Sequence, residues 1–330
     1  MTKKNKILII RLSSIGDVVL TTPLVRVLYK MGYEIDYLIK PTFSDVLIGN
    51  PYINKLLYYT PGVERKFCQL DAPKYKYIID LQNNLRSRKL TLTLGIPTLR
   101  LNKINLRKWL MTSLKINVLP STHIVDRYIQ TARKLGARND GKGLDFFLYE
   151  KDIPSEKLLG SLPFVVMAVG AAHITKAIPI ELGAKILQKL DYPVIIIGAL
   201  TDWDSAHQMI VQSGKTNIRN LCGKLSIRGS AGVISKAEAV IAPDTGMMHI
   251  AAAFKKPIAI VWGNTIPAFG MGPYYGDASV PSLHFEVPGL SCRPCSKLGF
   301  NQCPKGGFQC MLGQDASGIA ASISQLVETI

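Results

Sequence analysis

The sequence predicts an α/β protein with two open parallel sheets, one in each half of the chain. Apolar runs of strand length alternate with helix-length amphipathic segments throughout, a pattern typical of parallel strands with helices on both faces. At 330 residues the chain is too long for a single hydrophobic core, because domains usually hold about 100–200 residues. We therefore expect two domains, 1–155 and 156–330, joined by a linker around 150–163.

The first half contains three strand-like runs and one long helical segment. The strands are predicted at 6–11, 34–39 and 77–81, and a helix at 17–31 joins the first two. A loop marked by Pro61, Gly62 and Pro73 precedes the third strand.

The second half repeats the alternation more strongly. Strands are predicted at 164–169, 193–198, 239–242 and 258–262, with helices near 180–190, 202–213, 229–236 and 246–254. The last helix of the chain is a candidate to pack back on the N-terminal domain.

Composition excludes several classes of protein. Hydrophobic residues make up 47% and charged residues 19%, which excludes intrinsic disorder. The longest apolar runs are shorter than the roughly 20 residues that cross a bilayer. The apolar run at 7–10, after the first lysines, is also too short for a signal-peptide core of about 7–15 residues. We therefore expect a cytoplasmic protein.

The positive charge lies mostly in the first half. Residues 1–150 hold 25 Lys and Arg against 11 Asp and Glu, whereas residues 151–330 hold 15 against 12. Between Asp80 and Asp126 there is no acid, but there are eight cations. Such a surface attracts polyanions, which include nucleic acid, an anionic membrane and a phosphorylated substrate. A solvated face that only keeps the protein soluble is the alternative.

The segment 7–19 (ILIIRLSSIGDVV) reads as a strand, a tight polar loop and a helix start. In open parallel sheets, ligands bind beyond the carboxyl ends of the strands, so this loop would face a cleft between the two domains. Asp17 is its acid. From the pattern alone, such an acid is more often a helix N-cap or first-turn acid that stabilises the helix.

The segment 242–249 (APDTGMMH) follows a strand and opens an apolar helix. Free N–H groups and the helix dipole make such a start an anion site, and Gly246 lets a phosphate approach. Asp244 is predicted to be the helix N-cap. His249 lies on the same face as Thr245, where it either points at the same anion or is structural.

These two segments closely resemble the bacterial lipopolysaccharide heptosyltransferases of glycosyltransferase family 9. The resemblance extends over nearly the whole chain, because Lys176, the turn at Gly198 leading to Asp202, and the segment 222–226 (CGKLS) also match the donor-site segments of that family. It implies a glycosyltransferase of the GT-B type with two Rossmann-like domains. The C-terminal domain would hold an ADP-activated heptose and the N-terminal domain the lipid A–inner core acceptor.

The resemblance also implies roles for individual residues. Asp17 matches the general base of the family. Donor contacts are implied for Lys176, Thr245 and Gly246 at the diphosphate, Asp202 at the ribose and Leu225 at the adenine, with Asp244 and His249 beside them. Acceptor contacts are implied for Ser13, Ser14, Gly16, Arg86 and Arg88.

The chemistry of these residues agrees with such a reaction. Transfer of a sugar from a nucleoside diphosphate needs a base for the acceptor hydroxyl and positive groups for the leaving diphosphate. Asp17 supplies the first, and Lys176 with the helix start at Gly246 supplies the second. No acid cluster suited to Mg²⁺ accompanies them in the sequence, so we expect no cofactor to be required.

Four cysteines cluster in the loop 292–310: Cys292, Cys295, Cys303 and Cys310. Disulfides are disfavoured in the cytoplasm, and four close cysteines can bind structural zinc. Because only the first pair has the short C-x₂-C spacing, reduced or redox-responsive thiols are the alternative. Cys68 and Cys222 look like isolated core residues.

Two functions of different classes follow. The first is an inverting heptosyltransferase at the cytoplasmic face of the inner membrane. An alternative within the same class is a related transferase that uses another nucleotide sugar. The second is a non-enzymatic nucleic-acid-binding protein, which only the charge supports. Because residues 86–115 hold a single aromatic side chain, Trp109, and no known binding motif, we expect no nucleic-acid partner.

Overall fold

A computed structural model describes residues 5–60, 75–160 and 163–328. Its N-terminal sheet is parallel throughout and has the order β3-β2-β1-β4-β5. The strands are β1 (Lys6–Ile10), β2 (Glu34–Ile39), β3 (Lys55–Tyr58), β4 (Tyr75–Asp80) and β5 (Thr98–Arg100).

The C-terminal sheet is also parallel and has the order β11-β10-β9-β6-β7-β8. Its strands are β6 (Val165–Ala168), β7 (Val194–Ile197), β8 (Ile218–Asn220), β9 (Val240–Pro243), β10 (Ile258–Val261) and β11 (Ser282–Phe285). The two sheets confirm the predicted α/β fold class.

Helices connect the strands in both domains. In the first half they are α1 (Ile15–Val19), α2 (Thr22–Lys30), α3 (Leu85–Leu94), α4 (Asn105–Trp109), the π-helical turn Leu110–Leu114, and α5 (Ile124–Thr131). In the second half they are α6 (Glu156–Leu159), α7 (Ile180–Lys189), α8 (Trp203–Ser213), α9 (Ile227–Lys236), α10 (Gly246–Ala253), α11 (Gln309–Leu312) and α12 (Ala316–Glu328).

The predicted helix 17–31 is two helices, α1 and α2. Pro23 lies in the first turn of α2, where a missing N–H costs little, whereas inside a continuous helix it would break the hydrogen-bond ladder. The hydroxyls of Thr21 and Thr22 donate to the carbonyls of Val18 and Val19 at 2.7 and 2.8 Å. These bonds satisfy carbonyls at the end of α1.

The central strands form the core because both faces of each sheet are covered. The apolar side chains of β1, β6 and β10 are fully buried, as expected for parallel strands. Arg228 on α9 links the two domains. It donates to the carbonyls of Ile48 and Phe147 at 2.7 and 2.9 Å and pairs with Asp152.

The described residues of the last helix, α12, pack on the C-terminal domain, and the expected contact with the N-terminal domain stays a prediction. Ile319 and Ile323 of α12 are fully buried in the same apolar cluster as Ile186 of α7 and Val261 of β10. The apolar side of α12 is therefore used to cover one face of the C-terminal sheet.

The loop marked by Pro61, Gly62 and Pro73, and the predicted core residue Cys68, lie outside the described residues. Within the described ranges, no helix is both long enough and apolar enough to cross a membrane.

Candidate active site

The N-terminal loop and the start of α10 meet in the cleft between the domains. A Cβ atom built on Gly16 would lie 2.5 Å from His249 Cδ2, and one on Gly246 would lie 2.5 Å from Ile15 Cγ2. No side chain fits at either position without displacing its neighbour. Glycine at both positions therefore lets the N-termini of α1 and α10 approach each other, and brings Asp17 close to the predicted anion site.

Asp17 is held by Arg11 and by the backbone before α1. Arg11 Nη2 lies 2.7 Å from Asp17 Oδ1, and Ser14 donates to Oδ2 from its N–H at 3.3 Å and its hydroxyl at 3.1 Å. Burial raises the pKa of Asp17, but Arg11 and Ser14 outweigh it, so the pKa lies below the ordinary 3.8. Asp17 is thus a carboxylate at neutral pH and also stabilises the start of α1.

Arg11 was not assigned a role from the sequence. Its guanidinium is buried and also donates to the carbonyls of Ser13 and Leu81, both at 2.8 Å. A cation that directly follows a buried strand and precedes an acid six residues later is the signal that could have identified this pair.

Lys176 and Asp244 form an ion pair on the donor side. Lys176 Nζ lies 2.6 Å from Asp244 Oδ2, which also accepts a 2.7 Å hydrogen bond from the Thr265 hydroxyl. The predicted N-cap role of Asp244 was wrong, because α10 begins at Gly246 and Thr245 is its N-cap. The Asp244 carboxylate instead positions Lys176 beside the start of α10.

Two polar side chains at the start of α10 have no partner in the described residues. These are the hydroxyl of Thr245 and Nδ1 of His249, both buried. Burial lowers the pKa of His249 to about 4, so the imidazole is neutral at pH 7. Unpartnered buried groups are costly, so these two atoms are available to a ligand at the helix start.

Asp202 lies at the carboxyl ends of β6 and β7. Cβ atoms built on Gly170 and Gly198 would approach its Oδ2 to 2.0 and 2.7 Å, so glycine is needed at both positions. The Ala199 N–H donates to the same oxygen at 2.7 Å, and burial raises the pKa of Asp202. Leu225 lies just before α9 and is partly buried against the core.

Arg86 and Arg88 are exposed on the first turn of α3. The segment before them touches the N-terminal loop, because the Leu12 N–H donates to Gln82 Oε1 at 2.9 Å. This contact joins the start of α3 to the loop that carries Asp17. Within the described residues, neither arginine forms a hydrogen bond or ion pair with the Asp17 carboxylate.

Lys108 of α4 also reaches the C-terminal domain, which sequence reasoning missed. Its Nζ lies 5.4 Å from the centroid of the Phe269 ring. Burial and Arg127 lower the pKa of Lys108 to about 8, while Asp17 and Asp244 act in the opposite direction.

The four cysteines of the 292–310 loop line one cavity of about 130 Å³, together with Thr175, Asn264 and Arg293. Burial raises the pKa of the Cys295 and Cys310 thiols, the latter to about 11, so they carry protons at pH 7. Among the described residues, no three His, Cys, Asp or Glu side chains are arranged to hold a metal ion. Structural zinc thus stays a prediction of the cysteine spacing.

Comparison with known proteins identifies the family. The profile described as "Glycosyltransferase family 9 (heptosyltransferase)" matches residues 64–294. The chain belongs to glycosyltransferase family 9. This membership confirms the predicted resemblance and the prediction that the protein is a glycosyltransferase.

Relatives of this family 9 chain include proteins named as lipopolysaccharide heptosyltransferases. The chain is 27% identical over 323 residues to lipopolysaccharide heptosyltransferase 1 of Pseudomonas aeruginosa, covering 88% of this chain and 86% of the relative. It is 26% identical over 291 residues to the enzyme of the same name from Campylobacter coli, covering 79% and 84%.

Solved structures agree with the fold of this family 9 member. The family 9 glycosyltransferase of Veillonella parvula superposes with a TM-score of 0.77 at 20% identity, over 100% of this chain and 99% of that one. ADP-heptose LPS heptosyltransferase II of E. coli gives 0.73 at 20% identity, over 98% and 99%. The two-domain GT-B fold predicted from the sequence is confirmed.

Proposed function

We propose that this enzyme transfers a heptose from ADP-heptose to the inner core of lipopolysaccharide, on a lipid A–Kdo or already heptosylated acceptor. The observation that carries the proposal is the close approach of the Asp17 loop to the start of α10, where Asp244 holds Lys176. This approach supports a base on one side of the cleft and a diphosphate site on the other. The names of the relatives support heptose and lipopolysaccharide as substrates.

Asp17 acts as the general base in this proposal. Its carboxylate takes the proton of the acceptor hydroxyl while that oxygen bonds to the anomeric carbon of the heptose. The bond from that carbon to the diphosphate oxygen breaks on the opposite face, so the configuration inverts and ADP leaves. Arg11 and Ser14 hold the carboxylate in place and keep it ionised.

Lys176 and the N–H groups at the start of α10 stabilise the charge on the leaving diphosphate. Asp244 holds Lys176 at this position and Thr265 holds Asp244. The unpartnered hydroxyl of Thr245 supplies a further donor. Because these groups supply the positive charge, the proposal assigns no metal to this step.

The remaining donor-site residues bind the ribose and the adenine in this proposal. Asp202, held between Gly170 and Gly198, accepts hydrogen bonds from the ribose hydroxyls, and the backbone at Leu225 lines the adenine. His249 lies beside the diphosphate as a neutral imidazole. The solved structure of E. coli heptosyltransferase WaaC with ADP superposes with a TM-score of 0.67 at 20% identity, and its bound ligand supports an adenine nucleotide.

A screen of nucleotide sugars tests this assignment. ADP and ADP-heptose are expected to raise the melting temperature of the protein, because a ligand that binds only the folded state stabilises it. UDP-sugars at the same concentration are expected to leave the melting temperature unchanged. Stabilisation by UDP-sugars alone would favour the alternative, a transferase for another nucleotide sugar.

The acceptor is assigned to the N-terminal domain, at Ser13, Ser14, Gly16, Arg86 and Arg88. Reversing both charges, with Arg86→Glu and Arg88→Glu, is expected to raise the acceptor KM about tenfold or more and to leave ADP affinity unchanged. Arg133→Glu with Lys134→Glu changes the net charge equally on an exposed turn of the same domain and is the control. An equal loss in both double variants would contradict a specific acceptor role.

Arg11 is expected to set the pH range of the reaction. In Arg11→Met the carboxylate of Asp17 stays buried but loses its cation, so its pKa should rise. The acid limb of kcat/KM should then move to higher pH, because only the ionised carboxylate accepts a proton. Arg11→Lys keeps the charge and should shift the limb less. An unchanged pH profile in Arg11→Met would show that Arg11 does not set the pKa of the catalytic base.

We assign the enzyme to the cytoplasmic face of the inner membrane, as a peripheral protein. A lipid-linked acceptor is anionic and lies in a bilayer. The eight cations between Asp80 and Asp126, with no acid among them, provide the complementary charge.

A further inference from the structure

A segment of the N-terminal domain carries apolar side chains that the described residues do not cover. This 105–118 segment comprises α4, the π-helical turn Leu110–Leu114 and the coil after it. Neither helical piece contains a fully buried residue. The exposed fractions are 69% for Leu106, 52% for Trp109, 53% for Leu114 and 50% for Ile116. A short helix in a globular protein usually buries such side chains, so these four mark a contact surface.

Cations are interleaved with these apolar side chains. Arg107, Lys108 and Lys115 belong to the segment, and the nearest acids along the chain are Asp80 and Asp126. A surface of this composition fits an anionic bilayer, where lipid phosphates meet the cations and the acyl boundary takes the apolar groups. Trp109 fits the same environment, because tryptophan is enriched at membrane interfaces.

The 105–118 segment also contacts the C-terminal domain. Lys115 Nζ donates to the carbonyls of Cys292 and Pro294 at 3.2 and 2.7 Å, and Lys108 lies over the Phe269 ring. The segment therefore spans the two domains at the cleft that holds Asp17. A bilayer bound to it would lie next to the site where a lipid-linked acceptor has to enter.

We propose that the 105–118 segment docks the enzyme on an anionic phospholipid bilayer, with Leu106, Trp109, Leu114 and Ile116 entering the headgroup boundary. Arg107, which is exposed on α4, binds lipid phosphates. This inference rests on the proposed function for its physiological setting, because a lipid-linked acceptor requires a bilayer surface. Binding to the bilayer itself needs neither donor nor acceptor.

Sedimentation with vesicles of phosphatidylcholine and phosphatidylglycerol tests the docking without any sugar substrate. The intact protein is expected to bind these vesicles and to bind pure phosphatidylcholine about tenfold or more weakly. The double variant Leu106→Ser with Trp109→Ser is expected to lose about tenfold or more in affinity for the anionic vesicles, since two large apolar side chains no longer enter the boundary. Val211→Ser, at a 65% exposed position on α8, is the control and should bind like the parent.

Tryptophan fluorescence gives a second measurement that does not depend on folding of a variant. Trp109 is exposed, whereas Trp262 is 1% exposed and Trp203 is partly covered by Lys224. Anionic vesicles should shift the emission to the blue, and lipids with a quencher near the headgroup should reduce it. Replacing Trp109 with Phe should remove most of both effects. Emission that is unchanged by vesicles would overturn the proposal.

Activity separates the docking from the proposed function. The Leu106→Ser, Trp109→Ser variant should keep parental kcat on a delipidated, soluble acceptor and lose rate on the same acceptor in vesicles. Equal rates on both acceptors would overturn the docking and leave the transfer intact. No transfer by the parent, with vesicle binding still lost in the variant, would overturn only the proposed function. A parent dimer that dissociates in the variant, without vesicle binding, would show that a second copy covers this surface and would overturn the docking.

Discussion

Asp17→Asn is expected to lower kcat by about two orders of magnitude or more, because general-base catalysis typically contributes about 10²–10⁴-fold. An asparagine oxygen still accepts the hydrogen bond that the Ser14 N–H donates to Asp17, but it cannot take the proton of the acceptor. Arg11 keeps its bonds to the carbonyls of Ser13 and Leu81. The variant should therefore fold and bind ADP like the parent.

Asp315→Asn is the matched control for this change. Asp315 accepts hydrogen bonds from the N–H groups of Ser317 and Gly318 at the start of α12, so it is also an acid that caps a helix. Loss of an N-cap costs only about 0.5–2 kcal/mol of stability, and Asp315→Asn should leave kcat unchanged. Near-parental kcat in Asp17→Asn would leave Asp17 as a structural acid and require another base.

Lys176→Ala is expected to weaken ADP binding by about tenfold to a hundredfold. A hydrogen bond to a charged group contributes about 1.5–3 kcal/mol, and each 1.4 kcal/mol corresponds to a factor of ten in affinity. The substitution also leaves the Asp244 carboxylate without its cation, which places an uncompensated negative charge beside the diphosphate. Both effects act in the same direction, and titration calorimetry measures their sum.

Lys185→Ala is the control for Lys176→Ala. Lys185 is exposed on α7 of the same domain, so its replacement removes the same charge from the donor domain without touching the cleft. ADP affinity should be parental in this variant. Equal affinities in the two variants would remove Lys176 from the donor site.

The buried strands could be predicted from the sequence because their apolar runs are nearly continuous. Strands β1, β2, β4, β6, β7, β9 and β10 lie within about two residues of their predicted positions. The strands β3, β5, β8 and β11 were missed. They are short edge strands with a partner on one side only. Their side chains are mostly exposed or partly buried, so their hydrophobic pattern is weak.

The two loops of the candidate site were recognised because each combines a strand end, glycine and a helix start within a few residues. The residues that contact these loops from elsewhere in the chain were not recognised. Lys176 and Thr265 contact Asp244 across 68 and 21 residues of sequence, and local spacing carries no information about such contacts. For the same reason, the sequence favoured a local cap for Asp244, although its carboxylate is directed to these distant partners.

The exposure and contacts of the 105–118 segment could not be predicted from the sequence either. The basic composition of the region was visible, but whether its leucines and Trp109 are buried depends on tertiary packing. A short helix with many apolar residues is usually a core element. Only the folded chain shows that these side chains stay exposed beside the cleft.

The most direct test of the proposed function is the mass of the acceptor after incubation with ADP-heptose. The purified protein and a lipid A–Kdo acceptor should yield a product heavier by one heptose, with one ADP released for each sugar transferred. Asp17→Asn, at the same concentration, should give about a hundredfold less product in the same time. An acceptor of unchanged mass with ADP-heptose, but a heavier one with a UDP-sugar, would contradict the proposed donor and with it the assignment as an ADP-heptose transferase.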